Sequence, residues 1–379
     1  MKIGIIGRTN VGKSTFFKAI TMEEVEIEDR PFTTIEPNRG IAYVRVECPE
    51  KEFGTKCQPH NSPCIDGERL VPLEVIDVAG LIQGASSGKG LGNKFLSEAM
   101  EADALIQVID ISGKTDAGGN KTSDYDPAND VRMVDSEMRI WLKNVIMRAK
   151  AKSGLDLSQE IQKNLSGLGI SLERVREAVK AVRAASVSDS SAEAIADYIL
   201  KTAKPTIVAC NKMDASDDAD RAVERLRSSF PYEFMPCSAA AELTIKEAER
   251  HGFISYRKGK IERVKKLTPE QERAIRIVEN IIKAHGSTGV QEILNRLVLS
   301  IKKCKVVFTV QDEKNLSDAN GRVLPDAYIV DQMATPKDVA ELVHSDFAKA
   351  YKGAIDCRTG LKVKNDEPVK NGQILKILI

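Results

Sequence analysis

Between Gly7 and Thr15 the chain reads GRTNVGKST, which fits the spacing G-x-x-x-x-G-K-[ST]. Glycines at both ends let the backbone curl so that successive N–H groups point at anionic oxygens. In that arrangement Lys13 reaches the β- and γ-phosphates of a nucleotide and the Ser14 hydroxyl ligates magnesium. Asn10, Val11, Gly12 and Thr15 complete the cradle, and a helix beginning near Gly12 turns its positive end toward the phosphates. The plainer alternative is an ordinary glycine turn before a surface lysine. It fits poorly with an apolar run, Ile3-Gly4-Ile5-Ile6, ahead of the loop and a helical pattern of Phe16, Phe17 and Ile20 behind it.

Three further signals follow in order. PFTTIEPN offers Thr33 and Thr34 in a proline-flanked segment suited to a switch. Asp77-Val78-Ala79-Gly80 follows the apolar run Leu73–Ile76, so Asp77 would hold magnesium, through water, and the Gly80 N–H would sense the γ-phosphate. Asn211-Lys212-Met213-Asp214 follows the strand-like run 205–210, and Ser238-Ala239 ends another short apolar run. Singly these are weak. Each stands at the carboxyl end of an expected strand, where open α/β sheets place their ligands.

Asp214 bears on the choice of base. Guanine presents an N1–H and an exocyclic amine that donate together to a carboxylate, whereas adenine offers an acceptor at N1. An unmatched pair costs about 1–3 kcal/mol, and sites built on such pairing discriminate by about 10⁴-fold. GTP and GDP are therefore expected over ATP. Asn211 and Lys212 are expected to brace the loop, and the backbone N–H groups of Ser238 and Ala239 to meet the guanine O6.

A different problem arises at Leu81. Many nucleotide switches carry there a glutamine that orients the attacking water, and leucine cannot. Gln83 is the only glutamine nearby, and its offset is wrong.

These residues need an α/β scaffold. The 379 residues are enough for two or three domains, and a composition of 42% hydrophobic and 29% charged residues is that of a globular chain. A net charge of +1 gives no global bias toward nucleic acid or membrane, so DNA is not expected as a partner. Seven scattered cysteines favour reduced thiols, and no run approaches the ~20 apolar residues of a membrane span; the cytoplasm is the expected location. Asp77 and Asn211 lie more than twice as far apart as the roughly 60 residues of one or two βαβ repeats. Val131, Val134, Met138, Trp141, Leu142, Val145 and Ala149 recur at helical spacing within that excess, as do Leu172, Val175, Val179 and Val182. Residues 113–200 therefore read as a helical insertion, for which a hairpin is one form. It serves either packing or a partner.

A smaller excess holds Cys48, Cys57, His60 and Cys64 in CPEKEFGTKCQPHNSPC. Four such donors suit zinc, although an eight-residue gap is not a standard finger spacing and a β-hairpin with reduced thiols also accounts for the stretch. The basic run 256–266 reads as a solvated helix face or as a contact for RNA phosphates. From Cys304 onward strands alternate with one helix, capped by Thr335 with Pro336 at its first position and Asp338 returning to the cap, which describes a small α+β domain.

The motifs GRTNVGKSTFF, PFTTIEPNRG, DVAGLIQGASSGKGLGNKFL, NKMD and LPDAYIV…AIDCRTG…VKNGQILKI together resemble the YchF branch of Obg-related GTPases in its archaeal form. The resemblance implies a P-loop GTPase domain (1–112 and 201–300) with a coiled-coil-like helical insertion (113–200), followed by a TGS domain (301–379) of ubiquitin-like β-grasp fold. It implies that Thr34 rather than Thr33 is the switch threonine ligating magnesium. It also implies a hydrophobic residue at the glutamine position, potassium held beside the phosphates by Asn10, and work at the ribosome or on RNA. Many YchF relatives carry glutamate at the base-reading position and prefer ATP; Asp214 departs from them. The resulting expectation is a GTPase of slow intrinsic turnover, with Lys13, Thr34, Gly80 and Asn10 serving hydrolysis and an activating partner in reserve. The rivals are an ATP-preferring hydrolase and an RNA- or ribosome-binding protein with vestigial hydrolysis.

Overall fold

The computed structural model describes residues 1–22, 38–78, 80, 84, 86, 92–149, 156–216, 218–257 and 259–379. In chain order the first elements are β1 (Lys2–Ile6), α1 (Lys13–Thr21), β2 (Arg39–Glu47), β3 (Cys64–Ile65), β4 (Glu68–Asp77), α2 (Gly92–Glu101) and β5 (Ala104–Asp110). There follow α3 (Ala128–Met147), α4 (Leu157–Leu165), α5 (Leu172–Val182), α6 (Asp189–Ala203), β6 (Thr206–Asn211), α7 (Ala219–Ser229), β7 (Glu233–Pro236) and α8 (Ala239–Arg250). Then come β8 (Ile254–Arg257), β9 (Lys260–Arg263), α9 (Pro269–His285), α10 (Val290–Asn295), β10 (Lys305–Val310) and β11 (Asp326–Val330). The chain closes with α11 (Pro336–Val343), α12 (Ser345–Ala350), β12 (Gly353–Asp356), β13 (Leu361–Val363) and β14 (Ile374–Leu378).

These elements form two compact units, one of residues 1–22 and 75–293, the other of 23–74 and 294–379. The cut differs from the expected domain limits: residues 39–74 fall with the carboxyl-terminal unit.

In the first unit the strand order is β4-β1-β5-β6-β7, with β4 contributing Val75–Asp77. β1, β5, β6 and β7 run parallel, Ile5 opposite Ile106 and Val108 opposite Ala209. Every residue of β5 is buried, as a strand covered on both faces requires. The parallel order brings the carboxyl ends of β1, β5 and β6 to one edge, where the loops after Ile6, Asp110 and Asn211 begin.

Among the described residues, 113–127 form a loop and the rest of the insertion is helical, as expected, but as four helices rather than a hairpin of two. Val131 fills the core beside β5 and β6. Val134, Met138, Trp141, Leu142, Val145 and Ala149 share one core with Ile6, Ile76, Val78, Leu105 and the buried faces of α4, α5 and α6. The breaks have local causes: Asp156, Ser171 and Ser188 each cap the helix that follows by accepting a backbone N–H. The basic run is an antiparallel hairpin, β8–β9, not a helix face. Arg257 pairs with Glu249, and Arg263 with Glu272 and Glu279, so part of its charge is neutralised within the fold.

The second unit contains β2, β3 and residues 68–74 of β4, with Cys64 opposite Arg69, and a five-stranded sheet in the order β11-β10-β14-β12-β13. β10 and β14 are parallel; the other pairs are antiparallel. Thr335, Pro336 and Asp338 close the capping box at the start of α11, whose Val339 packs with Val307, Ala354 and Leu375; Leu342 is exposed. No helix among the described residues is long and apolar enough to cross a membrane.

Candidate functional site

Gly12 takes the left-handed N-cap position of α1 at φ +94, which favours glycine. A Cβ there would also lie 2.3 Å from the Asn211 Nδ2. Asn211 is the reason for the close approach. Its amide donates to the Val11 carbonyl at 2.9 Å, and its Oδ1 accepts the Ala239 N–H at 3.0 Å. One buried side chain thus joins the loop after β1 to the start of α8. Lys212, at φ +65, donates to the Asn10 carbonyl at 2.8 Å and to Asp110 at 2.9 Å. The expected braces are therefore present, and their targets are the phosphate loop itself. Gly12→Ala must break the Asn211–Val11 bond, so GDP affinity should fall at least about tenfold, measured by titration with a fluorescent GDP. Unchanged affinity would show that the two loops move independently.

Lys13 is 7% exposed and its ammonium donates to the Arg8 carbonyl at 2.8 Å. Burial holds its pKa below that of a free lysine; Asp77 opposes this and Arg8 adds to it. Ser14 donates to the Asp77 Oδ2 at 3.0 Å. The Asp77 Oδ1 is buried with no hydrogen-bond partner among the described residues, and burial raises the carboxyl pKa against the Ser14 hydrogen bond and the Lys13 charge. A carboxylate oxygen orphaned beside a serine hydroxyl fits a divalent cation, so Ser14 and Asp77 suit magnesium. Gly80 lies close by: a Cβ on it would sit 3.2 Å from the Lys13 Nζ and 2.8 Å from the Thr9 methyl. Thr33, Thr34, Leu81 and Gln83 lie outside the described residues.

The turn that carries Asp214 is open. Asp214 stands in a one-turn 3-10 helix, Met213–Ala215, and its exposed carboxylate has no hydrogen-bond partner among the described residues. The expectation for Ser238 and Ala239 is not met. The Ser238 N–H donates to the Thr288 carbonyl and the Ala239 N–H to Asn211, while the Ser238 hydroxyl caps α8 by accepting from Ala241. The Ala240 N–H, one residue further into the first turn, has no partner among the described residues.

Asn10 has its own constraint. At φ +64 it donates its amide to the Gly119 carbonyl at 3.4 Å. Two buried networks hold Gly119's loop, and sequence reading missed both. Asp110 accepts from the Ser112 hydroxyl at 2.5 Å, the Thr115 hydroxyl at 2.6 Å and Lys212. Arg8 pairs with Asp130 of α3 at 2.5 Å and donates to the Thr115 carbonyl at 2.7 Å. A third contact involves Glu137 of α3, which accepts the N–H groups of Gly84 at 2.6 Å and Ser86 at 2.7 Å, a few residues beyond Gly80. Asp110 left one signal, an acidic residue ending a strand that is apolar but for Gln107. Arg8 with Asp130 and Glu137 with Gly84 left none, because their partners lie 122 and 53 residues away.

Of the cysteine-loop donors, Cys48, Cys57 and Cys64 converge, together with Glu50. His60 is not in the group; its Nδ1 lies 3.0 Å from Asp326.

Comparison with known proteins agrees with this geometry. Residues 2–150 match the model of the 50S ribosome-binding GTPases, 209–312 the G4 motif-containing domain of Obg-like GTPases, and 320–379 the TGS domain. A GTP-binding protein of Methanocaldococcus jannaschii is 40% identical, over 99% of this chain and 98% of its own. The crystal structure of a GTP-binding protein from Pyrococcus horikoshii superposes with a TM-score of 0.80 at 32% identity, covering 100% and 99% of the two chains. The ribosome-binding ATPase YchF of Haemophilus ducreyi is 33% identical over 67% of this chain and 69% of its own. With its phosphate loop, helical region and carboxyl-terminal TGS domain, the chain belongs to the YchF group of Obg-like P-loop GTP-binding proteins, a family of nucleotide hydrolases.

Proposed function

We propose that this protein is a guanine-nucleotide switch that hydrolyses GTP to GDP and phosphate slowly, and that its nucleotide state governs association with the ribosome. The observation that carries the reading is the pair of hydrogen bonds of Asn211, donated to the Val11 carbonyl and accepted from the Ala239 N–H. It ties the base-reading turn to the phosphate loop and leaves the Asp214 carboxylate free at the opening.

Asp214 would accept the guanine N1–H and exocyclic amine. The Ala240 N–H takes over the O6 contact first expected of Ser238 and Ala239. Lys13 would exchange its bond to the Arg8 carbonyl for the β- and γ-phosphates. Ser14, Asp77 and Thr34 would hold magnesium, which neutralises charge on the phosphates. Gly80 would donate to the γ-phosphate, and Asn10 would offer its side-chain oxygen to potassium beside it. The water would be oriented by backbone groups of the switches, with Leu81 turned away. Glu137 supports this assignment: by fixing Gly84 and Ser86 it joins the segment after Gly80 to the helical region. A change at the γ-phosphate then reaches the α3 face, where an activating partner would act.

The ribosome is the partner that the match of residues 2–150 to the 50S ribosome-binding GTPases and the ribosome-binding YchF relative suggest. Cytoplasmic work follows from that partner.

Displacement of a fluorescent GDP by GTP and by ATP tests the reading. GTP should compete at least about 10²-fold better, and turnover should rise with ribosomes and with potassium in place of sodium. Equal competition by ATP would refute the base assignment, and absence of multiple turnover under every condition would refute the switch.

A further inference from the structure

The second unit contains a cluster that the nucleotide site does not use. The Sγ atoms of Cys48, Cys57 and Cys64 and a carboxylate oxygen of Glu50 all lie within 4.8 Å of one another. Ligand atoms on a zinc tetrahedron stand about 3.7 Å apart at a Zn–S distance of ~2.3 Å, so shifts of about an ångström close the shell. The backbone sets this up. Cys48 leaves β2, the 3-10 turn Pro49–Lys51 swings Glu50 back, and Cys64 enters β3. Glu50 accepts the Cys57 N–H at 3.0 Å and the Cys64 thiol at 3.6 Å. None of the three sulfurs is in a disulfide.

A second, independent observation concerns charge. Arg69 of β4 is fully buried, and its contacts are the Ser62 carbonyl and hydroxyl, the Pro325 and Leu324 carbonyls, the Phe308 ring and, at 3.6 Å, the Cys48 Sγ. Among the described residues no carboxylate pairs with it, and its Nε has no partner. A buried guanidinium without an anion is costly. Zinc with three thiolates and one carboxylate carries a net charge of −2, which supplies the missing anion at Cys48; Arg69 in turn offsets that charge.

We propose that Cys48, Glu50, Cys57 and Cys64 form a structural zinc site that closes the 48–64 loop on itself where it packs beside the carboxyl-terminal sheet. Binding displaces the three thiol protons to solvent and leaves four protein donors on the metal. A closed shell has no position for water or substrate, so the site is structural, not catalytic. Cys48 and Cys57 already pack among Val71, Val306, Phe308, Leu324 and Ile374, so the metal would close the loop beside that core. His60, held by Asp326, stands outside the shell.

Metal analysis of the full chain, purified without chelator, should find about one zinc per chain. His60→Ala should keep it, and Cys57→Ser and Cys64→Ser should lose most of it. Glu50→Ala keeps three sulfurs and should surrender zinc to a chelator that the parent resists. Binding of fluorescent GDP reports whether each variant is folded. Because a cysteine variant can fail to fold, the parent protein is also stripped under reducing conditions and titrated with cobalt(II). A tetrahedral thiolate spectrum that zinc abolishes supports the site. Zinc far below stoichiometry with no such cobalt spectrum would overturn it, as would a native disulfide within the cluster. Loss of zinc in His60→Ala with retention in Glu50→Ala would overturn the ligand set.

Discussion

Asp214→Asn should exchange guanine for xanthine as the preferred base. In the proposed guanine site the carboxylate would accept two hydrogen bonds, and only a base with donors at N1 and C2 would satisfy both. An asparagine amide brings a donor to the same place, facing the exocyclic amine of guanine donor to donor. Xanthine carries a carbonyl at C2, which accepts that N–H. Affinity for GTP should fall by about 10²–10⁴-fold and affinity for XTP should rise to compensate, read by displacement of a fluorescent nucleotide. The fold is not at risk. Asp214 is exposed and bonds to nothing among the described residues, so stability should change by less than about 0.5 kcal/mol. The brace below it, Asn211 to Val11 and Ala239, stays intact. A variant that binds GTP as the parent does, and ignores XTP, would show that position 214 does not read the base. ATP binding that persists through the substitution would point instead to an adenine site.

The residues that act through short loops were legible in the sequence, because such loops carry their geometry locally. Gly12, Lys13 and Ser14 lie on a strand–loop–helix whose conformation is set by neighbours within a turn, and Thr335 to Asp338 close a cap over four residues. Hydrophobic spacing likewise placed Val134, Met138 and Leu142 on one buried face. Spacing could not say how many helices the insertion holds, because that depends on where Asp156, Ser171 and Ser188 stop the chain and cap it again. The basic run failed as a helix because charge counts carry no period: Ile254 and Tyr256 alternate inward as a strand does, with Arg257 turned out to Glu249. Ser238 and Ala239 were expected to face the base, but their N–H groups meet Thr288 and Asn211, partners that no local rule reveals. His60 and Glu50 show the same limit. Both lie between the cysteines, and which one turns inward depends on Asp326, more than 200 residues away, holding the histidine.

Asp110→Ala should be among the more damaging single changes outside the nucleotide contacts. The carboxylate is wholly buried and accepts from two hydroxyls, the Ser112 N–H and the Lys212 ammonium. Removing it leaves a cation and two hydroxyls without their acceptor. Breaking a buried pair costs roughly 3–5 kcal/mol. The low end applies here, about 3 kcal/mol, because Lys212 keeps 29% of its side chain exposed and can reach water. For a unit of this size that is a fall in Tm of about 6–12 °C. Lys212 would also lose half of its hold on the Asn10 carbonyl loop, so GDP should dissociate faster even where the variant is folded. Asp110→Asn separates charge from shape. Its oxygen still accepts from Ser112, but its amide faces the Lys212 ammonium donor to donor, and the loss should be intermediate. The pH dependence gives the sign. Burial pushes this carboxyl up, but the Ser112, Thr115 and Lys212 hydrogen bonds outweigh it and hold the folded pKa below the ordinary 3.8. The unfolded chain therefore takes up the proton first, and stabilisation present above about pH 4 is lost as the pH falls through the folded value. The difference in stability between the parent and Asp110→Asn should accordingly be constant near neutrality and shrink below about pH 4. A parent-like Tm and GDP off-rate in Asp110→Ala would mean that Lys212 is anchored by Asn10 alone; a gap that widens in acid would reverse the charge assignment at Asp110.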